Sequence, residues 1–425
     1  MKRFFAITLA AILVAAVAAP SMATESRLQA MGGVGKYVED DANIFDWPAT
    51  LPSYANLFIV DLHEEYGMYG LTKSIGEYGD YGTFGIFFNE DMDGPNDYYM
   101  DVDLDWANSS AFNTWLDTKW MLVYGYEIDE NMSIGLKFIR ASENREMEMD
   151  TLTLEDKRSY TTIGASFRME ATEDMYFDIG FDYTMASRTD NMVGYFPDGA
   201  MEDPCGEISE DPGYDMNFRG RVFYNWTDMI TLVPYVGFRM SEFDYAYEDE
   251  ECAGWDDYDM YGMKGMQFNL GIAANMRVNE DNLIVFAIEP FKYTKMEPVR
   301  YYEDPEDAEN DFDGEFSGYE RTMPGFILGL ESDVRDWLTI RTGCTKMLTT
   351  MGGEYTEGDE TGEATWDDAD FDWYLGAGFH VGDFTIDCMI DRDVPFQMGY
   401  WLTGMNGYRE GSDQPIYRIS TIYAF

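Results

Sequence analysis

The last nine residues, Tyr417-Arg418-Ile419-Ser420-Thr421-Ile422-Tyr423-Ala424-Phe425, alternate in character. Phe425, Tyr423, Ile419 and Tyr417 share one parity with Thr421; the other parity is smaller or polar, apart from Ile422. A period of two over this length specifies a strand with one apolar and one mixed face. The same period recurs upstream. Residues 118–128 put Trp120, Leu122, Tyr124, Tyr126 and Ile128 on one face. Residues 132–138 set Met132, Ile134, Leu136 and Phe138 against Ser133, Gly135 and Lys137. Only Asp129-Glu130-Asn131 separates the two stretches, which is tight-turn composition.

Five more such units lie at 159–169 and 175–187, 215–225 and 229–243, 263–277 and 283–295, 321–332 and 337–347, and 371–380 and 384–392. With 81–89 and 415–425 they make fourteen strands, and 56–63 and 65–75 would make sixteen. Short turns alternate with long connections at 90–117, 143–158, 188–214, 244–262, 296–320, 348–370 and 393–414. This rhythm resembles that of bacterial outer-membrane barrels, with short periplasmic turns and long outer loops. A soluble sandwich has strands of about five or six residues and no need of the alternation. The expected fold is therefore all-β: a transmembrane antiparallel β-barrel of about 14 strands, with 16 possible, over residues 56–425. Its last strand runs inward, so that Phe425 ends in the periplasm.

The start of the chain agrees. Lys2 and Arg3 precede a short apolar run, Phe4 to Ala19, and Ser21-Met22-Ala23 is a small-x-small cleavage site. Residues 1–23 read as a secretory signal peptide. No later stretch approaches the apolar length of a membrane helix, so strands would have to do the spanning.

Charge narrows the partners. The chain carries 28 Lys+Arg against 81 Asp+Glu, a formal charge of −53. Nucleic acid and anionic lipid both demand cationic surface and are excluded as partners. The 31 Tyr and 28 Phe suit aromatic girdles at the two membrane interfaces, so outer-membrane lipid is the expected surrounding. Lys137, Arg168, Arg219, Arg221, Arg239, Arg277 and Arg341 fall on the polar faces of their strands, with Asp178, Asp182 and Asp387. An Arg or Lys in mid-bilayer costs roughly 2–4 kcal/mol, so these charges should face the lumen and pair there. Bracing the interior and selecting a solute both remain open for them.

After the signal comes Arg27-Leu28-Gln29-Ala30-Met31-Gly32-Gly33-Val34-Gly35, then Glu39-Asp40-Asp41-Ala42-Asn43-Ile44-Phe45-Asp46-Trp47-Pro48-Ala49-Thr50-Leu51-Pro52. Gly32 and Gly33 permit tight backbone paths, Pro48 and Pro52 stop regular pairing, and Ile44, Phe45 and Trp47 need burial. A packed irregular segment over 24–55 follows. The segment resembles the mature N-terminus of the outer-membrane long-chain fatty-acid transporter superfamily, which includes barrels related to the type IX secretion shuttle. That resemblance implies a plug inside the barrel, with Gly32, Gly33, Asn43, Trp47, Pro48 and Ala49 among its residues. The Asn that usually precedes Pro-Ala in the family is Trp47 here, which removes an amide from the plug's hydrogen bonding.

Chemistry-bearing groups are sparse. His63 and His380 are the only histidines, too few for a Ser–His hydrolase or a His metal site, and the chain is not read as an enzyme. Cys205 and Cys252 fall in successive outer connections of an exported chain and are expected to pair as a disulfide. Cys344 and Cys388 lie on apolar strand faces, two interstrand spacings or roughly 10 Å apart, and should stay unbonded towards lipid. Glu309, Asp311, Asp313 and Glu320 match positions 1, 3, 5 and 12 of a calcium loop, with Gly314 at position 6. Ca2+ in an outer loop is the one cofactor this pattern suggests; a solvated acidic loop is the alternative. Pro234 sits inside an apolar strand, where it implies a bulge or a missing ladder bond and hence a wall kink. The kink is either a local bend or a lateral exit for an apolar solute.

Two functions remain in view. One is uptake of small hydrophobic solutes through a plugged lumen; the other is a structural or partner-binding barrel without transport. A plug and lumen-crossing charge pairs argue against a general porin. The sequence names neither the solute nor a protein partner.

Overall fold

The computed structural model describes residues 25–63, 67–76, 79–90, 118–149, 152–194, 205–248, 263–298, 314–357, 360–390 and 416–425. Among the described residues, sixteen strands close into one barrel with every neighbouring pair antiparallel. They are β1 (Leu57–His63), β2 (Gly67–Ser74), β3 (Thr83–Glu90), β4 (Thr118–Asp129), β5 (Met132–Met149), β6 (Leu152–Thr172), β7 (Met175–Gly194) and β8 (Cys205–Thr227). The second half comprises β9 (Ile230–Glu248), β10 (Met263–Asn279), β11 (Asn282–Pro298), β12 (Gly314–Arg335), β13 (Leu338–Glu357), β14 (Glu360–Val381), β15 (Phe384–Ile390) and β16 (Ile416–Ala424). Closure joins β1 to β16, from Leu57 opposite Ala424 to His63 opposite Arg418. The fourteen expected strands become sixteen because the two extra N-terminal stretches do pair, as β1 and β2.

Side chains alternate as the period of two requires. On β5, Ile134 and Leu136 are exposed outward while Ser133, Gly135, Lys137 and Ile139 are buried inward. On β16, Arg418, Ser420 and Ile422 are buried, and Phe425 just beyond the strand is exposed. An apolar face outside and a polar wall inside, with no open edge, is the build of a bacterial outer-membrane barrel. Cys344 and Cys388 both lie on the outer face and are free.

The connections after β2, β4, β6, β8, β10, β12 and β14, and the two chain ends of the barrel, gather at one rim. There, from the β4–β5 turn onward, a turn carbonyl accepts a hydrogen bond from the next hairpin: Glu170 donates to Asn131, Asn225 to Asp174, Arg277 to Met229 and Asp333 to Asp281, through their backbone N–H groups. His380 donates likewise to Trp337, Ala424 to Asp383 and Phe425 to Asn56. These bonds satisfy turn carbonyls that would otherwise rely on water, and they lace neighbouring hairpins together. Trp226, Trp337 and Phe425 stand exposed around the same rim, where aromatic rings suit a membrane interface.

The opposite ends depart from expectation. The stretches 143–158 and 348–370 were expected as long loops, but β5 and β6 pair from Ser142–Ser159 out to Met149–Leu152. Strands β13 and β14 pair out to Glu357–Glu360. Strand β8 has 23 residues, whereas about 9–11 suffice to cross a bilayer. Beyond the bilayer the ladder needs no apolar face, so it continues through polar, acidic sequence that reads as loop.

Candidate functional site

Residues 25–54 form no strand. They comprise helix α1 (Glu25–Ala30), a 3-10 turn (Val34–Lys36), helix α2 (Asn43–Asp46) and a 3-10 helix (Pro48–Tyr54). Gly32 and Gly33, at φ +88° and +72°, turn the chain after α1 in a region that side chains disfavour. Pro48 starts the last 3-10 helix, where its missing N–H costs nothing. Leu28, Met31, Ile44, Phe45, Trp47 and Leu51 are all buried.

The partners of this segment come from inward-facing positions around the ring, which places it inside the barrel. Ala49 donates its N–H to Ser166 on β6 at 2.6 Å, and its carbonyl accepts from Ser133 on β5 at 2.7 Å. Asn275 on β10 donates to the Tyr37 carbonyl at 2.6 Å, and the Tyr37 hydroxyl donates to Glu289 on β11 at 2.9 Å. Ser26 meets Ser420 on β16. The wall makes room with missing side chains. A Cβ on Gly135 would stand 2.1 Å from the Ala49 nitrogen, and one on Gly343 would stand 2.2 Å from the Met31 carbonyl carbon. Neither backbone could come so close to a larger residue.

Charge fixes the register of segment on wall. Arg221 on β8 donates to Asp178 at 2.9 Å, to the Asn43 side chain at 2.8 Å, and to the carbonyls of Gly35 and Val38 at 3.1 and 3.2 Å. Arg168 on β6 grips Asp178 with two nitrogens at 2.7 and 3.0 Å and reaches Glu39 at 2.7 Å. Asp182 on β7 is shared by Lys137 at 2.9 Å and Arg219 at 2.6 Å. Lys137 and Arg219 also donate to the backbone carbonyls of Phe45 and Asp46. Across the barrel, Arg27 of α1 forms a fork on Glu331 of β12 at 2.6 and 2.7 Å and touches Asp40 at 3.0 Å. Arg341 on β13 also donates to Glu331, at 2.7 Å, and to Asp387 on β15. Burial would lower the Arg27 pKa, but the Glu331 and Asp40 carboxylates raise it overall, so its charge is secure.

The remaining inner wall is apolar in two sectors. Leu28, Met31, Val34, Tyr37 and Val38 pack on Phe223, Val233, Ala273, Val285, Ala287 and Ile327 of β8–β12. Ile44, Phe45 and Leu51 join Ile59, Met68, Phe87, Met121, Ile139 and Tyr160 of β1–β6. Phe45 meets Phe87 edge-on at 4.9 Å. Met121, Ile139 and Ala141 lie beyond Gly125 and Gly135 along β4 and β5, away from the short turns and on the outer side of the Ala49 contact.

Gly32, Gly33, Asn43, Trp47, Pro48 and Ala49 all lie in this interior segment, and Asn43, Trp47, Pro48 and Ala49 are buried. Trp47 leaves its indole N–H without a partner, yet its ring lies beneath Arg221. Lys137, Arg219, Arg221, Arg239, Arg341, Asp178, Asp182 and Asp387 are buried in the wall, and Arg168 is half-buried in its ion pairs. Arg239 pairs with Asp215 rather than with the segment. Arg277 is the departure: it keeps inward parity but sits beside the rim turn of β10 and is exposed.

Pro234 is exposed on β9 and opposite Ile272 in an unbroken β9–β10 register. The β8–β9 ladder skips the pairs between Arg221–Tyr235 and Tyr224–Leu232 without a register shift. This is a missing ladder bond and not a bulge. Cys205 opens β8, whereas Cys252 lies outside the described residues, as do Glu309, Asp311, Asp313 and residues 1–24. Glu320, expected to close an outer loop, is instead buried within β12, opposite Thr294 and Met351, because the ladder continues past the bilayer through this acidic stretch. His380 exchanges hydrogen bonds with Thr339 and Thr385 at the rim.

Arg27, Asp40, Asp61, Asp215, Glu289, Glu331 and Arg418 take part in buried ion pairs that were not expected of them. Arg418 donates to Asp61 at 2.9 Å and closes the β1–β16 seam with charge. Glu331 and Arg418 stand at inward parity, which was the available signal. Their partners were not readable, because Arg27 and Glu331 are 304 residues apart.

No protein-family model matches the chain, and no curated protein sequence does. Solved structures of similar architecture include a Pseudomonas aeruginosa FadL homologue: 10% identity, TM-score 0.36, covering 97% of this chain and 100% of that one. The Pseudomonas putida toluene transporter TodX aligns at 11% identity and TM-score 0.37, covering 95% and 98% of the two chains. The alcaligin outer-membrane receptor FauA of Bordetella pertussis aligns at 8% identity and TM-score 0.39, covering 86% and 75%. What those proteins carry is a property of those proteins.

Proposed function

We propose that this chain is an outer-membrane uptake barrel in which residues 24–55 plug the lumen and small hydrophobic solutes enter from the outer side. The observation that carries this reading is the apolar sector of Met121, Ile139, Ala141 and Tyr160, continuous with Phe45 and Leu51 of the segment. A wall that only had to brace itself could be ion-paired throughout. An apolar sector beside the segment offers a solute the water-free contact that drives its transfer. The wall charges serve chiefly to hold the segment in register. The missing ladder bond at Pro234 supports a lateral exit, and an uptake rate unchanged by Pro234→Val would remove that element.

Solvent extraction and mass spectrometry of the purified barrel test the reading. Co-purified hydrophobic molecules, depleted by Ile139→Asp, are expected. A clean extract, together with no saturable binding of apolar probes, would overturn it. The second reading, a structural or partner-binding barrel, is favoured by one observation: Arg27, Arg168, Arg219 and Arg221 tie the segment to the wall on several sides. Under that reading the segment never moves and nothing is carried.

A further inference from the structure

Between the N-terminal segment and the seam strands β1 and β16 lies a cavity of about 10 Å³, large enough for one water-sized particle. Glu25, Asp41 and Asp61 line it, with Ser420, Ala42, Phe45, Ile59 and Met68. Asp41 is 1% exposed, and neither of its carboxylate oxygens has a hydrogen-bond partner of regular geometry.

The neighbouring charges do not balance it. On its own turn stands Asp40, already engaged by Arg27 at 3.0 Å. Arg27 in turn forks onto Glu331 of β12, which Arg341 of β13 also holds. On β1, Asp61 takes Arg418 of β16 and the Ser420 hydroxyl. Asp387 on β15 adds a further negative charge, and Glu25 of α1 receives Gln29. Among the described residues, Arg27 and Arg418, the cations facing Asp41, are thus each engaged by another carboxylate. A buried carboxylate in that position is far costlier than the neutral acid. Among the described residues, no three acidic groups converge closely enough to hold a metal ion.

We propose that Asp41 is carried as the neutral acid and that this cavity is a proton-binding latch, loss of whose proton loosens residues 25–54 from the wall. Burial pushes the Asp41 carboxyl well above its ordinary range, the Asp40 and Asp387 charges add to the rise, and Arg27 opposes it. Burial likewise raises Glu25, against the pull of Arg418. A carboxyl raised in the docked state stabilises docking fully below its undocked pKa and loses that stabilisation as pH rises towards its docked pKa. Docking should therefore weaken from the ordinary carboxylate range upward. The latch stands on the docked geometry and does not depend on what the lumen carries.

Hydrogen exchange of residues 25–54 in the purified full-length barrel tests it. Above the undocked range protection in the wild type should fall more steeply with pH than in Asp41→Asn, by up to about tenfold more per pH unit, the variant keeping only the slope that Glu25 contributes. Parallel profiles for the two proteins would overturn the latch. So would a slope removed by Glu25→Gln and kept by Asp41→Asn, or protection that rises with added Na+ or Ca2+ in place of falling with pH. Infrared spectra of carboxyl-13C-aspartate protein at neutral pH give a second readout that does not rely on docking of the variant. A protonated aspartic acid band present in the wild type and lost in Asp41→Asn supports the latch; its absence from the wild type refutes it.

Discussion

The guanidinium of Arg221 lies 3.7 Å from the centre of the Trp47 ring, sandwiching a wall cation against the segment's only tryptophan. The same guanidinium sits 4.8 Å from the Phe223 ring and bonds Asp178. A desolvated cation–π contact is worth about 2 kcal/mol, enough to offset an indole N–H left without a partner. The segment thus presents an aromatic face to a wall cation at this position. Trp47→Ala should cost about 3–5 kcal/mol of segment stability, and Trp47→Phe, which keeps a face for Arg221, clearly less. Urea titrations followed by exchange protection of residues 43–51 measure the difference. Equal losses for the two variants would count against the stacking.

Gly135 permits the Ala49 backbone to touch the wall, and Gly135→Val fills the space where that backbone runs. Gly135 is on the inner face of β5, and the β-branched residue suits a strand. The barrel should still fold, retaining its heat-modifiable migration on gels, while residues 25–54 become sensitive to protease. A variant as protected as the wild type would show that the contact is not limiting.

Arg27→Met leaves Glu331 to Arg341 alone and strips Asp40 of the guanidinium that touches it. Breaking one partner out of a buried ion network costs about 3–5 kcal/mol. Exchange protection of α1 should fall by roughly two to three and a half orders of magnitude, a factor of ten for each roughly 1.4 kcal/mol. Protection of α2 should fall less, since Arg221 and Lys137 hold it independently.

Cys344 and Cys388 face outward and are free, so both should react with a lipid-soluble maleimide and resist a charged one. If Cys205 and Cys252 pair as the sequence suggests, alkylation without reductant will modify two thiols per chain. Four modified thiols would dispose of the disulfide.

Much of this fold was legible because short turns and strand parity are local. The turns after Asp129, Thr172 and Thr227 fall within a residue or two of where Asp, Asn and Thr mark them. The outer strand ends were not legible, because pairing beyond the bilayer asks nothing of hydrophobicity. The site divides in the same way. Gly32, Trp47 and Ala49 announced an irregular buried segment, and strand parity announced Lys137, Arg221 and Arg341. Which cation meets which carboxylate depends on where the segment crosses the ring, a property of closure that no local window contains. Asp41 is the clearest case: its isolation comes from Arg27 and Arg418 being committed elsewhere.

Single-channel recording in planar bilayers tests the central claim that residues 25–54 close the lumen. The wild type should show no sustained conductance, while a chain lacking residues 25–54, or the Gly135→Val variant, should open to an ionic current. A wild-type barrel that conducts as freely as either variant would contradict the plug.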